Sequence, residues 1–596
     1  MSDYRAPTDE IRHTLRHVAG LDAVAALAGF EHSDAATVDG LLDEAARFFE
    51  ETLAPLNRDG DLVGSVRNDD GTITTPPGFV DAYRRYVDAG WSTVGFPPEY
   101  DGGGFPWMVN LAIQEMMTSA NFSFSLCPML TQGAIDALLH YGTEDQKETY
   151  LRKMVAGAWT GTMNMTEPDA GSDVGALTTR AVPADDGSWR ITGQKIYISW
   201  GEHDMAENTI HLVLARTPGS PPGTKGISLF IVPKFLVNDD GSLGARNDAV
   251  CVSIEHKMGL KASPTCVMAF GENGGATGWL LGEEHQGMRV MFTMMNNARL
   301  AVGLEGVSLS ERAYQQALQF ANERRQGRAA GADPGSPSPI VDHPDVQRML
   351  LDMRATTSAI RGLCYRNAAA IDWSVAAGTE AERREHDEMA ALLTPLSKAW
   401  GTDMACEITS IGIQVHGGMG YIEETGAAQH FRDARITPIY EGTNGIQAID
   451  LVGRKLPMDG GGVITRHLAA MRATAERAAA MPSLAAAAGH LHAALDAVTT
   501  ATEWLLEDGA DPARRLPGAT SYLEMLGVTT GGEILLAGAL AVLDPSVEST
   551  PEEIEDRAVL ARFFAANRMA RVPGMLAGVT ELGPELSGAR SRLLAI

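Results

Sequence analysis

This chain has no surplus of positive charge anywhere: 48 Lys and Arg stand against 76 Asp and Glu, a formal charge of −28. A nucleic-acid backbone or an anionic membrane surface needs clustered Lys and Arg, so neither partner is expected. Cysteine is scarce. Cys127, Cys251, Cys266, Cys364 and Cys406 lie far apart, with no C-x-x-C spacing and no even framework, which points to a reducing compartment and to packing roles. The N-terminal MSDYRAPTDEIRHTLRH has no apolar core, and no run of about 18 apolar residues is evident, so neither a secretory signal nor a transmembrane segment is expected. The expectation is a cytoplasmic protein.

Motifs are missing as well. No G-x-G-x-x-G follows a strand and there is no P-loop, which argues against a doubly wound nucleotide-binding sheet. His490 and His492 are two apart and point to different sides of a helix, and the other histidines lack ligand spacing, so no metal site is expected. A Ser or Cys nucleophile with its base is not visible either, although a triad assembled only in space leaves no trace in sequence.

What is present is a globular composition, 44% hydrophobic and 21% charged over 596 residues, enough for several cores. Residues 1–157 read as an N-terminal helical domain: ATVDGLLDEAARFFEETLAPL has apolar residues at three- and four-residue spacing, and Thr143 is a plausible N-cap for EDQKETYLRKMV. The Pro- and Gly-rich GFPPEYDGGG interrupts the helices. Over 158–283 the period changes to two, in SWRITGQKIYISWG, TIHLVLAR, GISLFIVPKF and AVCVSIEHKMG, which predicts an antiparallel β domain, a barrel or a sandwich. Helical periodicity returns over 284–457 as a bundle. An alanine-rich helical extension, 458–596, follows and could form an intersubunit surface, a lid or a satellite core. The fold class is α+β.

Two stretches hold unusual chemistry. MNMTEPDAGSDVG, residues 163–175, concentrates hydroxyls, carboxylates and glycines; alone it reads equally as a surface Asx turn or a ligand loop. In KIYISWGE, Tyr197 and Ser199 alternate on a strand and so share a face. Near the end of the bundle, TPIYEGTNGIQAIDLVGRK sets Glu441 between an apolar Ile439-Tyr440 pair and Gly442, with no lysine beside it.

Taken together, MTEPDAGSD, GQKIYISWG, EHKMGLKASPT, LLGEEHQGM, NNARLAVG, IQVHGGMGY and IYEGT occur in an order that resembles the acyl-CoA dehydrogenase family over residues 40–455. The extension resembles that of a large bacterial branch, whose members act on 3-methylthiopropanoyl-CoA or on straight-chain acyl-CoAs. The resemblance implies FAD as cofactor and Glu441 as the base that takes the α proton while the β hydride goes to flavin N5. It implies flavin contacts from Met163, Met165, Thr166, Gly171, Ser172, Tyr197, Ser199 and Thr443. A neighbouring subunit would add Arg324, Gln326, Gln414, Gly417 and Gly418. Ser172, Arg299 and Gly442 are implied on the substrate side, with Arg299 supporting the catalytic loop. Asn296, Asn297 and Ala298 stand where some members carry their base, and none of them can act as one. The chain departs from the family pattern at Asp169, at Gly445 and in ERRQGR.

The resemblance further implies an acyl-CoA substrate, a homodimer, and an electron-transferring flavoprotein as electron acceptor. Two rivals share the fold: an acyl-CoA oxidase that discharges electrons to oxygen, and an acyl-CoA binding flavoprotein that has lost its chemistry.

Overall fold

The segments TIHLVLAR and ISLFIVP run apolar without alternation because both of their faces are covered. In the computed structural model, which describes residues 4–332, 335–507, 511–589 and 593, they are the strands Asn208–Arg216 and Ile227–Pro233, buried along almost their whole length. The chain divides into two compact units. The first comprises residues 47–105 and 120–298; the second comprises 4–46, 106–119 and the chain from Arg299 onward.

In the first unit an eight-stranded sheet runs in the order Ala249–Ile254, Thr265–Phe270, Trp189–Ser199, Ala276–Leu281, Ile227–Pro233, Asn208–Arg216, Trp159–Asn164. Arg180–Pro183 pairs with both Trp189–Ser199 and Asn208–Arg216, the latter through the single bridge Arg180↔Arg216, and so closes a five-strand circuit of barrel type. The ladders are antiparallel except for that bridge and for Trp159–Asn164, which lies parallel to Asn208–Arg216. Inside the circuit Ile191, Val213, Ala215, Phe230, Val232 and Ala276 form one core. The opposite faces of the same strands, through Ile210, Leu212, Leu214, Leu229 and Ile231, join a second core with the helices Phe122–Tyr141 and Glu144–Val155. This two-sided burial explains the missing period of two. Thr143 does cap its helix, in a full capping box with Gln146.

In the second unit three long helices dominate: Gly287–Glu323 from Arg299 on, Pro344–Ala376 and Glu380–His416. The alanine- and glycine-rich extension packs into this bundle and shares its core. A Cβ placed on Gly531 would stand 2.4 Å from Cη2 of Trp400, and one on Gly527 2.6 Å from its Cγ. The helix Ala519–Val542 therefore reaches the Trp400 ring through its glycines, a fit no larger residue allows. Ion pairs add to this junction: Arg568 meets the buried Asp352 at 2.7 Å and the half-exposed Glu407 at 3.0 Å. Residues 4–46 belong here too, since Glu10 pairs with Arg557 of the extension at 2.6 Å and with Arg354 of the bundle at 3.1 Å.

Two stretches, Phe122–Tyr141 and Pro512–Val542, are long and apolar enough by composition to cross a membrane, contrary to the expectation that no such run exists; both are mostly buried inside the protein. Their bulky apolar residues are interrupted by Ser, Thr, Gly and Ala, so a search for unbroken apolar runs passes them over.

Candidate active site

Glu441 stands in a turn that the backbone does not adopt freely. After the helix Ala427–Ala434, the amides of Ile439 and Tyr440 donate to Ile436 O at 2.8 and 3.2 Å, and the chain reverses through Glu441 (φ 55°) and Gly442 (φ 85°). The Asn444 amide closes the turn on Pro438 O at 3.0 Å, and Thr443 caps the helix Asn444–Asp450 by accepting from the Ile446 amide at 3.2 Å. A left-handed conformation is routine for Gly442 but unfavourable for a glutamate. A Cβ at position 442 would also stand 2.7 Å from Nε2 of Gln447 and would have to displace that side chain. Strain of this kind on a polar residue is found where the side chain has a task.

The electrostatics agree. Oε2 of Glu441 is sealed from solvent and has no hydrogen-bond partner, and burial pushes the carboxyl up to about 7 against the opposing pull of Arg299 and Lys398. The sequence presented this glutamate as isolated. The fold instead brings two cations near it, although among the described residues neither forms an ion pair with it. Lys398 donates to Asn444 Oδ1 at 2.8 Å, and burial lowers its ammonium to about 8. Arg299 is buried against the turn, its Nη2 3.7 Å from where a Cβ on Gly442 would lie.

The flanking pair also differs from expectation. Ile439 is 48% exposed, and Tyr440 turns its hydroxyl to Oε2 of Glu305, a buried acid on the long helix. Glu305 Oε1, Arg299 Nε, Gln447 Oε1 and Glu441 Oε2 are all buried and unpartnered around this one turn. Buried polar atoms are normally satisfied, so such a cluster marks a place built for a polar ligand. Glu305, Lys398 and Gln447 were not singled out from the sequence. The available signal was a lone charge inside an apolar helix stretch, LAVGLEGVSL for Glu305 and LLTPLSKAWG for Lys398.

Within the first unit, Met163 is the penultimate residue of the strand Trp159–Asn164, and Met165 and Thr166 follow the strand. The Ile196 amide donates to Thr166 O at 2.9 Å, and the buried Lys195 ammonium bonds both Met165 O (3.0 Å) and Glu167 (2.8 Å). Met165 and Thr166 are thus pinned beside Tyr197 and Ser199. The strand bulges there: its register against Thr265–Phe270 shifts by one residue, and Tyr197 takes φ 60° and stands 60% exposed. The simple alternation expected for Tyr197 and Ser199 is interrupted, and the bulge re-aims the phenol ring outward. Gly171 and Ser172 lie exposed on the following turn.

In the second unit, Phe320 and His416 stack with centroids 4.5 Å apart, so Arg324 and Gln326 come to the same end of the bundle as Gln414, Gly417 and Gly418. All five are exposed, and both glycines have open space where a Cβ would be. Arg324 donates to Gln326 Oε1 at 3.3 Å.

Family models cover nearly the whole chain: the N-terminal domain of acyl-CoA dehydrogenase at residues 37–158, the middle domain at 162–272, the C-terminal domain at 285–456, and an acetyl-CoA dehydrogenase C-terminal-like domain at 467–587. The chain belongs to the acyl-CoA dehydrogenase family, oxidoreductases acting on the CH–CH group of acyl-CoA thioesters. It is 43% identical, over 98% of its length and 99% of the relative's, to the 3-methylmercaptopropionyl-CoA dehydrogenase of Ruegeria pomeroyi. It is 35% identical, over 95% and 96% of the two chains, to the broad-specificity linear acyl-CoA dehydrogenase FadE5 of Mycobacterium tuberculosis. In fold it matches Caenorhabditis elegans ACDH-11 in complex with C11-CoA (TM-score 0.79, 20% identity, 100% and 96% of the chains). It also matches an acyl-CoA dehydrogenase of Bacillus anthracis complexed with FAD (TM-score 0.69, 21% identity, 87% and 86%).

Proposed function

We propose that the protein is an FAD-dependent acyl-CoA dehydrogenase that converts an acyl-CoA thioester to its trans-2-enoyl-CoA, with Glu441 taking the α proton. The observation that carries this reading is the Glu441 carboxyl, with Oε2 sealed and unpartnered, held on strained backbone. A carboxylate in water is too weak to remove an α proton. Burial raises its basicity, and a carboxyl near 7 is ionised in useful proportion at neutral pH. The Glu441 amide makes no hydrogen bond among the described residues, so it is free to donate to the thioester oxygen as negative charge develops there. Arg299, held against the turn, favours that same charge.

The residues of the first unit fit FAD: an exposed phenol ring at Tyr197, two thioethers, and the hydroxyls of Thr166 and Ser199, with the nearby Lys195 ammonium already engaged by Glu167. When bound, FAD supplies the acceptor for the β hydride. Met163, Met165, Thr166, Tyr197 and Ser199 would hold its ring system, Gly171 and Ser172 would contact it further along, and Thr443 would add a contact beside the base. The exposed set Arg324, Gln326, Gln414, Gly417 and Gly418 serves the cofactor of a second subunit in a homodimer. Electrons leave to an electron-transferring flavoprotein.

The relative from Ruegeria pomeroyi supports 3-methylthiopropanoyl-CoA as substrate. A thioether sulfur occupies nearly the space of a methylene, so a pocket shaped for this chain also admits pentanoyl-CoA, with discrimination of ~10- to 200-fold at most. The test is anaerobic mixing of the yellow protein with 3-methylthiopropanoyl-CoA and with C4 to C16 acyl-CoAs while flavin bleaching is followed. Fastest bleaching by 3-methylthiopropanoyl-CoA and pentanoyl-CoA supports the assignment. Fastest bleaching by a long-chain thioester overturns it. Reoxidation by electron-transferring flavoprotein but not by air separates dehydrogenase from oxidase.

A further inference from the structure

Glu305 is a buried acid that the proposed reaction does not use. It sits on the helix Gly287–Glu323, 3% exposed, with the Tyr440 hydroxyl donating to its Oε2 and with Oε1 sealed and unpartnered. Tyr440 is the residue immediately before Glu441, and its amide already anchors the turn to Ile436. Its side chain is therefore a strut from the long helix to the strained backbone that aims the base.

Resting on the reading of Glu441 as the base, we propose that Glu305 is a positioning residue: as an uncharged acid it grips the Tyr440 hydroxyl and thereby holds the Glu441 turn in its left-handed conformation. The pair Glu305 and Glu441 then carries a single negative charge in the working enzyme, and that charge rests on Glu441.

Several features support this division. The groups facing the two acids are Arg299 on the helix of Glu305, Lys398 and Asp403 on Glu380–His416, and Asp450 and Arg454 beyond the turn. Of these cations, Arg299 and Lys398 act on Glu441, whereas Lys398 alone acts on Glu305, which in addition feels the negative charge of Glu441. Burial lifts both acids, Glu305 to about 8 and Glu441 to about 7, and two cations act on Glu441 against one on Glu305, which favours the charge on Glu441. A second ionisation would place two carboxylates in one dry pocket, which is strongly disfavoured. With Glu305 protonated, its oxygen still accepts from the phenol, and that is all the strut requires.

The test uses the FAD-loaded protein and its best acyl-CoA, following anaerobic flavin reduction against pH together with acyl-CoA affinity from the flavin spectrum. Tyr440→Phe and Glu305→Leu each remove the strut. Both should slow reduction at least ~10-fold, because a misplacement of about 1 Å can cost ~100-fold, while the affinity for acyl-CoA stays within about threefold. Glu305→Gln keeps an acceptor oxygen without charge. It should restore most of the rate lost in Glu305→Leu and should lose the second, alkaline step of the parent's pH profile while retaining the step near neutrality.

Parent-like rates in both Tyr440→Phe and Glu305→Leu overturn the proposal. So does Glu305→Gln as slow as Glu305→Leu, or an alkaline step that persists in Glu305→Gln. If Glu305→Leu does not fold, Tyr440→Phe and Glu305→Gln decide on the same criteria. Glu441→Gln in the same assay separates the two claims: if it reduces its flavin like the parent, the base assignment itself fails. If it is inactive while the Glu305 and Tyr440 variants behave as the parent, only the positioning role fails.

Discussion

Lys398 Nζ donates to Asn444 Oδ1 at 2.8 Å, which ties a buried ammonium to the helix start three residues past Glu441 without giving it to the glutamate. The cation lowers the Glu441 pKa from a distance, and Arg299 does the same, yet burial outweighs both. A base held by a direct ion pair would be ionised but weak. A base with no cation near it would stay protonated.

Replacing Lys398 by Gln tests that balance. A nearby cation favours the ionised carboxylate, so its removal raises the Glu441 pKa, and less base is ionised at any given pH. The acid limb of the flavin-reduction profile should move to higher pH by about one unit. An unmoved limb in a folded, FAD-loaded Lys398→Gln protein would show that the ammonium has no bearing on the base.

The strain at Glu441 carries a stability cost that a glycine relieves. Glu441→Gly should abolish flavin reduction and stabilise the protein at pH 8 by on the order of 1–3 kcal/mol, since it removes both an unfavourable φ and a buried acid. The pH dependence has a definite sign. The folded-state pKa of Glu441 lies above its ordinary value, so its protonated form favours folding below about 4.5, and that contribution is lost as pH rises through about 7. Thermal melts should accordingly show a wider gap between variant and parent at pH 8 than at pH 4.5. An equal or reversed gap contradicts the account.

Glu10 has the opposite sign. Burial alone would raise it, but Arg557 and Arg354 hold its carboxyl down at about 2. Its stabilising contribution is present above about 4.5 and is lost as pH falls toward 2. Hydrogen exchange at pH 3 should therefore show the segment Thr8–His13 opening relative to pH 6, and Glu10→Gln should open it already at pH 6.

The sequence singled out Glu441 and its turn, because Tyr-Glu-Gly-Thr in that setting is distinctive locally. It disclosed the β unit through composition, although strands buried on both faces hid their alternation. The charge environment of the base was hidden. Lys398 lies 43 residues before Glu441 and Glu305 lies 136 before it, so a glutamate with no charged neighbour in sequence has a buried ammonium and a second buried acid near it in space. The placement of residues 4–46 was equally hidden: Glu10 meets Arg557 across more than 500 residues, and His13 Nε2 stands 2.9 Å from where a Cβ on Gly538 would be. Contacts of that span leave no periodicity for a sequence reader to find.

The central claim is that Glu441 removes the proton. Stopped-flow anaerobic reduction of the FAD-loaded Glu441→Gln protein by its acyl-CoA tests it most directly, because the amide keeps shape and loses basicity. The prediction is intact FAD and acyl-CoA binding with reduction slowed ~100- to 10,000-fold. Reduction at the parent's rate would contradict it.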